Sequence, residues 1–244
     1  IGLLPALFVF YIRRNTKEPP RWQRVSADTK RMPYRHFIAT LLQPPYRQRT
    51  LVNVALIFIA LTGFWAGSQY LGVTVVALAM HQGLPRLAAL NLASITLAIL
   101  SLFTIIGCIA TPLIANRIGR RATLGIGFVL MIIGIAGAYG WAYYTGSIYA
   151  FIAFVPILGL GGADFAMFTI WLPEQYNTEI RASAFAFCTT MSRFLAAIGT
   201  FLIGWGISAA HTIGVPLALT AIPFVIGLFL IRYAPETRDE VLPA

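Results

Sequence analysis

Two charged side chains lie inside long apolar stretches, where a charge is costly unless it faces a cavity or a partner. Asp164 follows the uncharged run 122–163, and Arg193 precedes the uncharged run 194–231. A carboxyl group can carry a proton, and the planar fork of an arginine binds a carboxylate through two parallel hydrogen bonds. The pair therefore predicts a proton or substrate site. A fixed salt bridge between neighbouring helices and two separate cavities stay open as alternatives.

Uncharged polar side chains accompany these two charges. Trp65 and Gln69 lie one helical turn apart and share a face, and Thr189 lies one turn before Arg193. Asn91 lies in another apolar run. We expect these four residues to belong to the same binding site, and the amides and the indole would also suit a sugar.

The residues that mark a metalloenzyme or a hydrolase are missing from the sequence. It contains no HExxH segment, no paired metal ligands and no phosphate-cradling loop. Cys108 and Cys188 lie in apolar runs and are expected to be small buried residues without a disulfide. We therefore expect no metal, no cofactor and no enzymatic activity. A membrane-embedded enzyme and a non-transporting sensor remain as alternatives of another class.

The amino-acid composition indicates whether these residues are surrounded by water or by a membrane. The 244 residues are 58% hydrophobic and 11% charged, with a mean hydropathy of +0.77. Soluble domains carry about 25% charged residues. These figures exclude an ordinary soluble enzyme, a disordered chain and a disulfide-rich module. They predict an all-α polytopic membrane protein, because a transmembrane barrel would alternate apolar and polar residues.

Stretches without charge locate the membrane-spanning helices, each of which needs about 20 apolar residues. We predict a partial helix at 1–12 and a six-helix bundle over 50–232. The six full helices are predicted at 50–73, 88–115, 122–144, 148–171, 183–209 and 216–232. The bundle lies between a basic loop at 13–49 and a tail at 233–244. Segment 75–87 is expected to be an interfacial turn or a helix extension.

The net charge of +10 comes from basic residues whose distribution predicts the orientation of the chain in a membrane. Of the 18 Lys and Arg residues, 16 fall in loops on one side of the predicted helices, ten of them between Arg13 and Arg49. Loops rich in Lys and Arg face the cytoplasm, so the central loop and the C-terminus are predicted there. No nucleic acid partner is expected, because no aromatic and basic platform accompanies the cluster.

Polar residues are unevenly divided among the six predicted helices. They concentrate in 50–73, 88–115, 148–171 and 183–209, whereas 122–144 and 216–232 carry almost none. This pattern is typical of a central aqueous pathway with two supporting helices that face lipid.

Four segments resemble signature segments of the major facilitator superfamily of transporters. They are Glu18-Pro19-Pro20-Arg21-Trp22, Asn116-Arg117-Ile118-Gly119-Arg120-Arg121, Leu172-Pro173-Glu174 through Arg181, and Pro235-Glu236-Thr237-Arg238. The second resembles the loop motif Asp-Arg-x-Gly-Arg-Arg, with Asn116 in place of the acidic residue, where it can still accept hydrogen bonds at a helix end. Their order and spacing resemble the second half of a twelve-helix carrier of the sugar or organic-acid:proton symporter type. The chain begins at Ile1 in mid-helix and is expected to lack an N-terminal six-helix half.

The resemblance implies a secondary active transporter that works by alternating access, with the substrate between two six-helix bundles. We expect proton-coupled symport of a small organic anion such as a carboxylate, with a sugar as the alternative. The expected partners are the substrate, protons, the lipid bilayer and the other half, in the plasma (cell inner) membrane. A cytoplasmic gate is expected at Arg117, Gly119, Arg120, Arg121, Glu174 and Arg181.

Overall fold

The computed structural model describes Val9, Tyr11 and residues 34–238. The described residues form helices and turns, and no strand occurs among them. The predicted partial helix 1–12 lies outside the described residues except for Val9 and Tyr11, which are helical. The segment 18–22, which carries part of the family resemblance, lies outside them too.

The chain divides into two compact units, Ile1–Thr40 and Leu41–Ala244. The described part of the first unit is mainly helix α1 (Tyr34–Leu41). The hydroxyl of Thr40 donates a hydrogen bond to the carbonyl oxygen of His36 at 2.9 Å, inside that helix. Helix α1 lies within the segment 13–49, which is predicted as the basic central loop.

The second unit contains six helices that are long and apolar enough to span a membrane, as counted over the described residues. They are α2 (Tyr46–His81), α3 (Arg86–Ile118), α4 (Arg120–Thr145), α5 (Ile148–Glu174), α6 (Arg181–Ala210) and α7 (Gly214–Tyr233). Each predicted span lies within one of these helices. The all-α bundle that the apolar runs predict is confirmed.

Local backbone geometry ends these helices where the runs of apolar residues are broken. Gly119 separates α3 from α4 with φ of 98°, and Gly146 ends α4 with φ of 67°, both conformations that residues with a Cβ avoid. Segment 75–87 extends α2 as far as His81 and then turns, and Pro85 immediately precedes α3.

Three of the helices are irregular along their length. Helix α7 is interrupted at Thr220 and ends in the 3₁₀ turn Ile231–Tyr233. In α4, the residues Ala136–Ala142 form a π-helical stretch, and within it the hydroxyl of Tyr139 donates to the carbonyl oxygen of Gly67 at 2.6 Å. Helix α5 is interrupted at Ala163, and its second half begins at Asp164. The break does not end the span, which continues to Glu174.

Helix α5 packs mainly on α3 and α4, whereas α2 packs on α6 and α3. Glycines permit these close approaches: at Gly159 of α5, an added Cβ would lie 2.7 Å from the carbonyl oxygen of Leu100 in α3. We call the end of the bundle where α4 and α6 begin and α3, α5 and α7 end the basic end, because Arg117, Arg120 and Arg121 lie there.

Candidate functional site

A cavity of about 1130 Å³ opens along the bundle in the second unit. Residues of α2, α3, α5 and α6 line it, including Trp65, Cys108, Asp164 and Arg193, one from each helix in that order. Helices α4 and α7 contribute no lining residue. These are the same four helices in which the sequence concentrates polar residues.

Asp164 is the buried acid of this cavity. It is the first residue after the interruption of α5, and only 4% of its surface is exposed. Its Oδ2 atom is buried and has no hydrogen-bond partner among the residues that the structure describes. A buried carboxyl oxygen without a partner is costly, and such groups are rare in folded proteins. The atom is therefore a candidate for binding a proton or a ligand.

Arg193 supplies the positive charge of the cavity. Its helix, α6, passes through position 193 without interruption, and the side chain is exposed. It forms no hydrogen bond or ion pair with a residue in the described part of the chain, so all its donors are available to a ligand. Asp164 and Arg193 thus line one cavity without forming a salt bridge. The structure supports neither the fixed pair nor the two separate cavities.

The four other predicted site residues lie in three different settings. Trp65 lines the cavity with 52% of its surface exposed. Gln69 and Asn91 are exposed but do not line it. Thr189 is buried, and its hydroxyl donates to the carbonyl oxygen of Phe185 at 2.8 Å. The structure therefore gathers Trp65, Asp164 and Arg193 in the cavity lining and leaves out Gln69, Asn91 and Thr189.

One of the two cysteines also differs from expectation. Cys188 is buried as predicted, whereas Cys108 is exposed and lines the cavity. The apolar run around Cys108 does not show whether this residue lies on the buried or the exposed face of α3. Among the described residues, no group of three or more His, Cys, Asp or Glu side chains comes together to hold a metal ion.

A charged cluster ties the basic end of the bundle together. The guanidinium of Arg120 donates to both carboxylate oxygens of Glu174, from Nη2 at 2.9 Å and from Nε at 3.1 Å. Its Nη1 donates to the carbonyl oxygen of Ala115 and to Oδ1 of Asn116, each at 3.1 Å. Asn116 thus accepts a hydrogen bond at the end of α3, in the place where the family motif has an acid.

The C-terminal segment completes this cluster, and sequence reasoning assigned it no role. Glu236 accepts the backbone N–H groups of Arg120 at 2.8 Å and of Arg121 at 3.0 Å, at the start of α4. The hydroxyl of Thr237 donates to Glu174 at 2.5 Å. Gly119 makes room, because a Cβ there would lie 2.9 Å from a carboxylate oxygen of Glu236. The signal in the sequence that could have indicated this contact was the segment Pro235-Glu236-Thr237-Arg238, which resembles a family signature segment.

The remaining predicted gate residues lie near the cluster in different settings. Arg121 donates through Nε to the carbonyl oxygen of Ala234 at 2.6 Å. Arg181 donates through Nε to the carbonyl oxygen of Tyr176 at 3.2 Å. Arg117 is exposed near the end of α3. The structure therefore brings Gly119, Arg120, Arg121 and Glu174 together through the C-terminal segment.

A second polar network, which the sequence analysis missed, lies buried at the same end. Asn53 donates to Oε1 of Gln175 at 2.8 Å, and Gln175 donates back to Oδ1 of Asn53 at 3.4 Å. The hydroxyls of Thr50 and Tyr176 are 3.0 Å apart. Burial is the main reason that the pKa of Tyr176 lies above its usual range. The network fixes the loop after α5 to the start of α2.

Several known proteins are similar to this chain in sequence or in fold. No protein-family profile matches the chain. It is 26% identical to the inner membrane metabolite transport protein YgcS of Escherichia coli, over 99% of this chain and 56% of that protein. It is 28% identical to a protein of Cupriavidus pinatubonensis named "Probable 4-methylmuconolactone transporter", over 97% of this chain and 52% of that protein. The chain spans about half the length of the curated relatives it matches.

The inward-open structure of the xylose transporter XylE from E. coli superposes with a TM-score of 0.62 at 23% identity, over 77% of this chain and 48% of XylE. A double-tryptophan mutant of XylE gives the same TM-score at 22% identity, over 83% and 46%. The relatives and structural neighbours are transporters and not enzymes. The chain therefore resembles, in sequence and in its six-helix fold, one half of a major facilitator superfamily transporter.

Proposed function

We propose that this chain is the second half of a secondary active transporter of a small metabolite. The observation that carries the proposal is the open cavity that α2, α3, α5 and α6 line, with Asp164 and Arg193 on its wall. A first six-helix half would supply the opposite wall, and rocking of the two halves would expose the substrate to each side in turn. The relatives, of which this chain spans about half, are named as transporters.

The proposed substrate is an organic anion, moved together with a proton. Arg193 has its donors available, and its guanidinium fits a carboxylate through two parallel hydrogen bonds. Asp164 is the proposed proton carrier, because its Oδ2 is buried in the same cavity without a partner among the described residues. A protonated Asp164 removes a negative charge that would repel the anion, which couples the two ligands.

A sugar is disfavoured by the placement of the amides. A sugar site needs several side chains that donate and accept hydrogen bonds, and Gln69 and Asn91 were the candidates. Both lie outside the lining of the cavity. Trp65 remains as a stacking surface, and its single indole N–H can donate to only one hydroxyl of a sugar.

We propose that the chain lies in a plasma (cell inner) membrane, with its basic end on the cytoplasmic side. The six apolar helices make the chain a membrane protein, and one relative is named as an inner membrane protein. The 16 basic residues on one side support this orientation. The cluster of Arg120, Glu174 and Glu236 is then the cytoplasmic gate, whose ion pair would open as the halves rock.

The test uses the full-length protein in proteoliposomes, with labelled carboxylates and labelled sugars in separate uptake assays. Arg193→Lys keeps the charge and loses the planar fork, so we expect carboxylate uptake to fall at least ~10-fold with normal membrane insertion. Arg86→Lys, a basic residue at the start of α3 and outside the cavity lining, is the matched control. Wild-type uptake by Arg193→Lys would refute the binding role.

Two further arms test the coupling and the architecture. Asp164→Asn should still exchange the anion across the membrane but should not accumulate it against its gradient, because Asn carries no proton. Residues 1–244 expressed alone should give no uptake, since the opposite wall is then lacking. Uptake by that half would contradict the proposal.

A further inference from the structure

The cavity wall is poor in free hydrogen-bond donors. Its three threonines are already engaged, because the hydroxyls of Thr104, Thr169 and Thr200 donate to carbonyl oxygens of their own helices at 2.8, 2.7 and 2.9 Å. Such hydroxyls can accept a hydrogen bond but have no hydrogen left to donate. The lining side chains with strong donors that are not so engaged are Arg193 and Trp65. A ligand therefore finds one cation and one indole N–H.

Aromatic side chains supply the rest of the recognition surface. Phe64 and Trp65 come from α2, Phe165 from α5 and Phe201 from α6, so they face the cavity from three helices. Phe201 is 74% exposed, so its ring is open to a ligand in the cavity. Aromatic rings pair with other flat rings in offset or edge-to-face arrangements. The wall is thus suited to a flat ring.

The charges of the wall limit the number of carboxylates on the ligand. Arg193 is the basic residue of the lining and Asp164 the acidic one. A second carboxylate would find no second cation on this wall and would lie in the same cavity as Asp164. The cavity volume of about 1130 Å³ lies above the usual range of roughly 300–1,000 Å³ for small-molecule sites, so lining chemistry rather than size must select the ligand.

We propose that the substrate is a monocarboxylate that carries a planar, unsaturated ring. Its carboxylate binds the guanidinium of Arg193, and its ring packs among Phe64, Trp65, Phe165 and Phe201. This inference rests on the proposed transport of an organic anion and names the class of that anion. An acyclic anion leaves the aromatic side chains uncovered, and a dicarboxylate leaves one charge without a partner.

The test is a competition and counterflow assay with the full-length protein in proteoliposomes. The probes are benzoate, cyclohexanecarboxylate, acetate, phthalate and xylose. Benzoate should exchange with a half-saturation concentration at least ~10-fold below those of acetate and phthalate, and below that of the saturated ring in cyclohexanecarboxylate. Phe201→Leu should raise the half-saturation concentration for benzoate roughly 3- to 10-fold.

Phe194→Leu is the matched control, since Phe194 lies on α6 and is 68% exposed but does not line the cavity. It should leave the benzoate values unchanged. If acetate or phthalate exchanges as well as benzoate, or if Phe201→Leu behaves as Phe194→Leu does, the ring specificity is refuted while anion transport stands. If xylose exchanges and no carboxylate does, both this inference and the proposed anion transport are refuted.

Discussion

Glu236 links the C-terminal segment to the start of α4, and its removal should measurably destabilise the bundle. Its two carboxylate oxygens accept the N–H groups of Arg120 at 2.8 Å and Arg121 at 3.0 Å. The first N–H groups of a helix have no partner within the helix, and a negative charge there is favourable. Glu236→Ala removes both hydrogen bonds and the charge.

The size of the effect follows from this geometry. Loss of a side chain that caps a helix N-terminus costs about 0.5–2 kcal/mol. Glu236 is half-buried, so solvent screens part of the charge and we expect a cost of about 1 kcal/mol. In the proposed full-length protein, which would be about twice as long as this chain, that corresponds to a melting temperature lower by about 1–2 °C. Glu236→Gln keeps one acceptor oxygen and should lose less.

The effect should depend on pH in a defined direction. Burial alone would raise the pKa of Glu236, but the backbone N–H groups of Arg120, Arg121, Arg238 and Thr237 lower it below its usual value of 4.5. Because the folded-state pKa is the lower one, the stabilisation is complete above pH 4.5. It is lost as the pH falls through the folded-state pKa. The difference between wild type and Glu236→Ala should therefore be full at neutral pH and shrink in acid.

Thermal unfolding of the purified full-length protein in detergent, followed by tryptophan fluorescence at several pH values, measures this difference. Glu179→Ala is the control, because Glu179 is an exposed acid in the loop between α5 and α6. The reasoning is refuted if Glu236→Ala melts with the wild type at neutral pH. It is also refuted if the difference grows as the pH falls.

Two more predictions concern packing and the gate. Gly159→Ala should lower the melting temperature by an amount equivalent to about 1–3 kcal/mol, because the new Cβ would lie 2.7 Å from the backbone of Leu100. Gly125→Ala is the control and should have little effect, since its new Cβ would have its nearest neighbour at 4.0 Å. Equal melting curves for the two variants would contradict this packing. Glu174→Gln and Arg181→Gln should slow transport in proteoliposomes by disturbing the contacts of the basic end, and normal uptake by both variants would overturn the gate.

The membrane-spanning helices could be predicted because they depend on a local property. A stretch of about 20 residues without charge must satisfy its backbone hydrogen bonds internally in lipid, which only a helix does within one segment. Turn residues such as Gly146 then mark the ends. The distribution of polar residues likewise indicated four helices, and the cavity is lined by those four.

Individual site residues were harder to predict, because helical spacing leaves the rotation of a helix undecided. Gln69 shares a predicted face with Trp65, yet Trp65 lines the cavity and Gln69 does not. Phe201 carried no signal at all, since 17 phenylalanines are scattered through an apolar chain. Cys108 was expected to be buried and lies in the cavity.

The sequence by itself determined that this chain is an all-helical membrane bundle with two charges inside its spans, because the cost of exposing charge and backbone to lipid acts residue by residue. Only the tertiary structure decided that Asp164 and Arg193 share one cavity without pairing, and that Glu236 reaches the start of α4. Both arrangements bring together residues from different helices or segments of the chain. They depend on how the helices rotate and cross, which packing across the whole bundle determines.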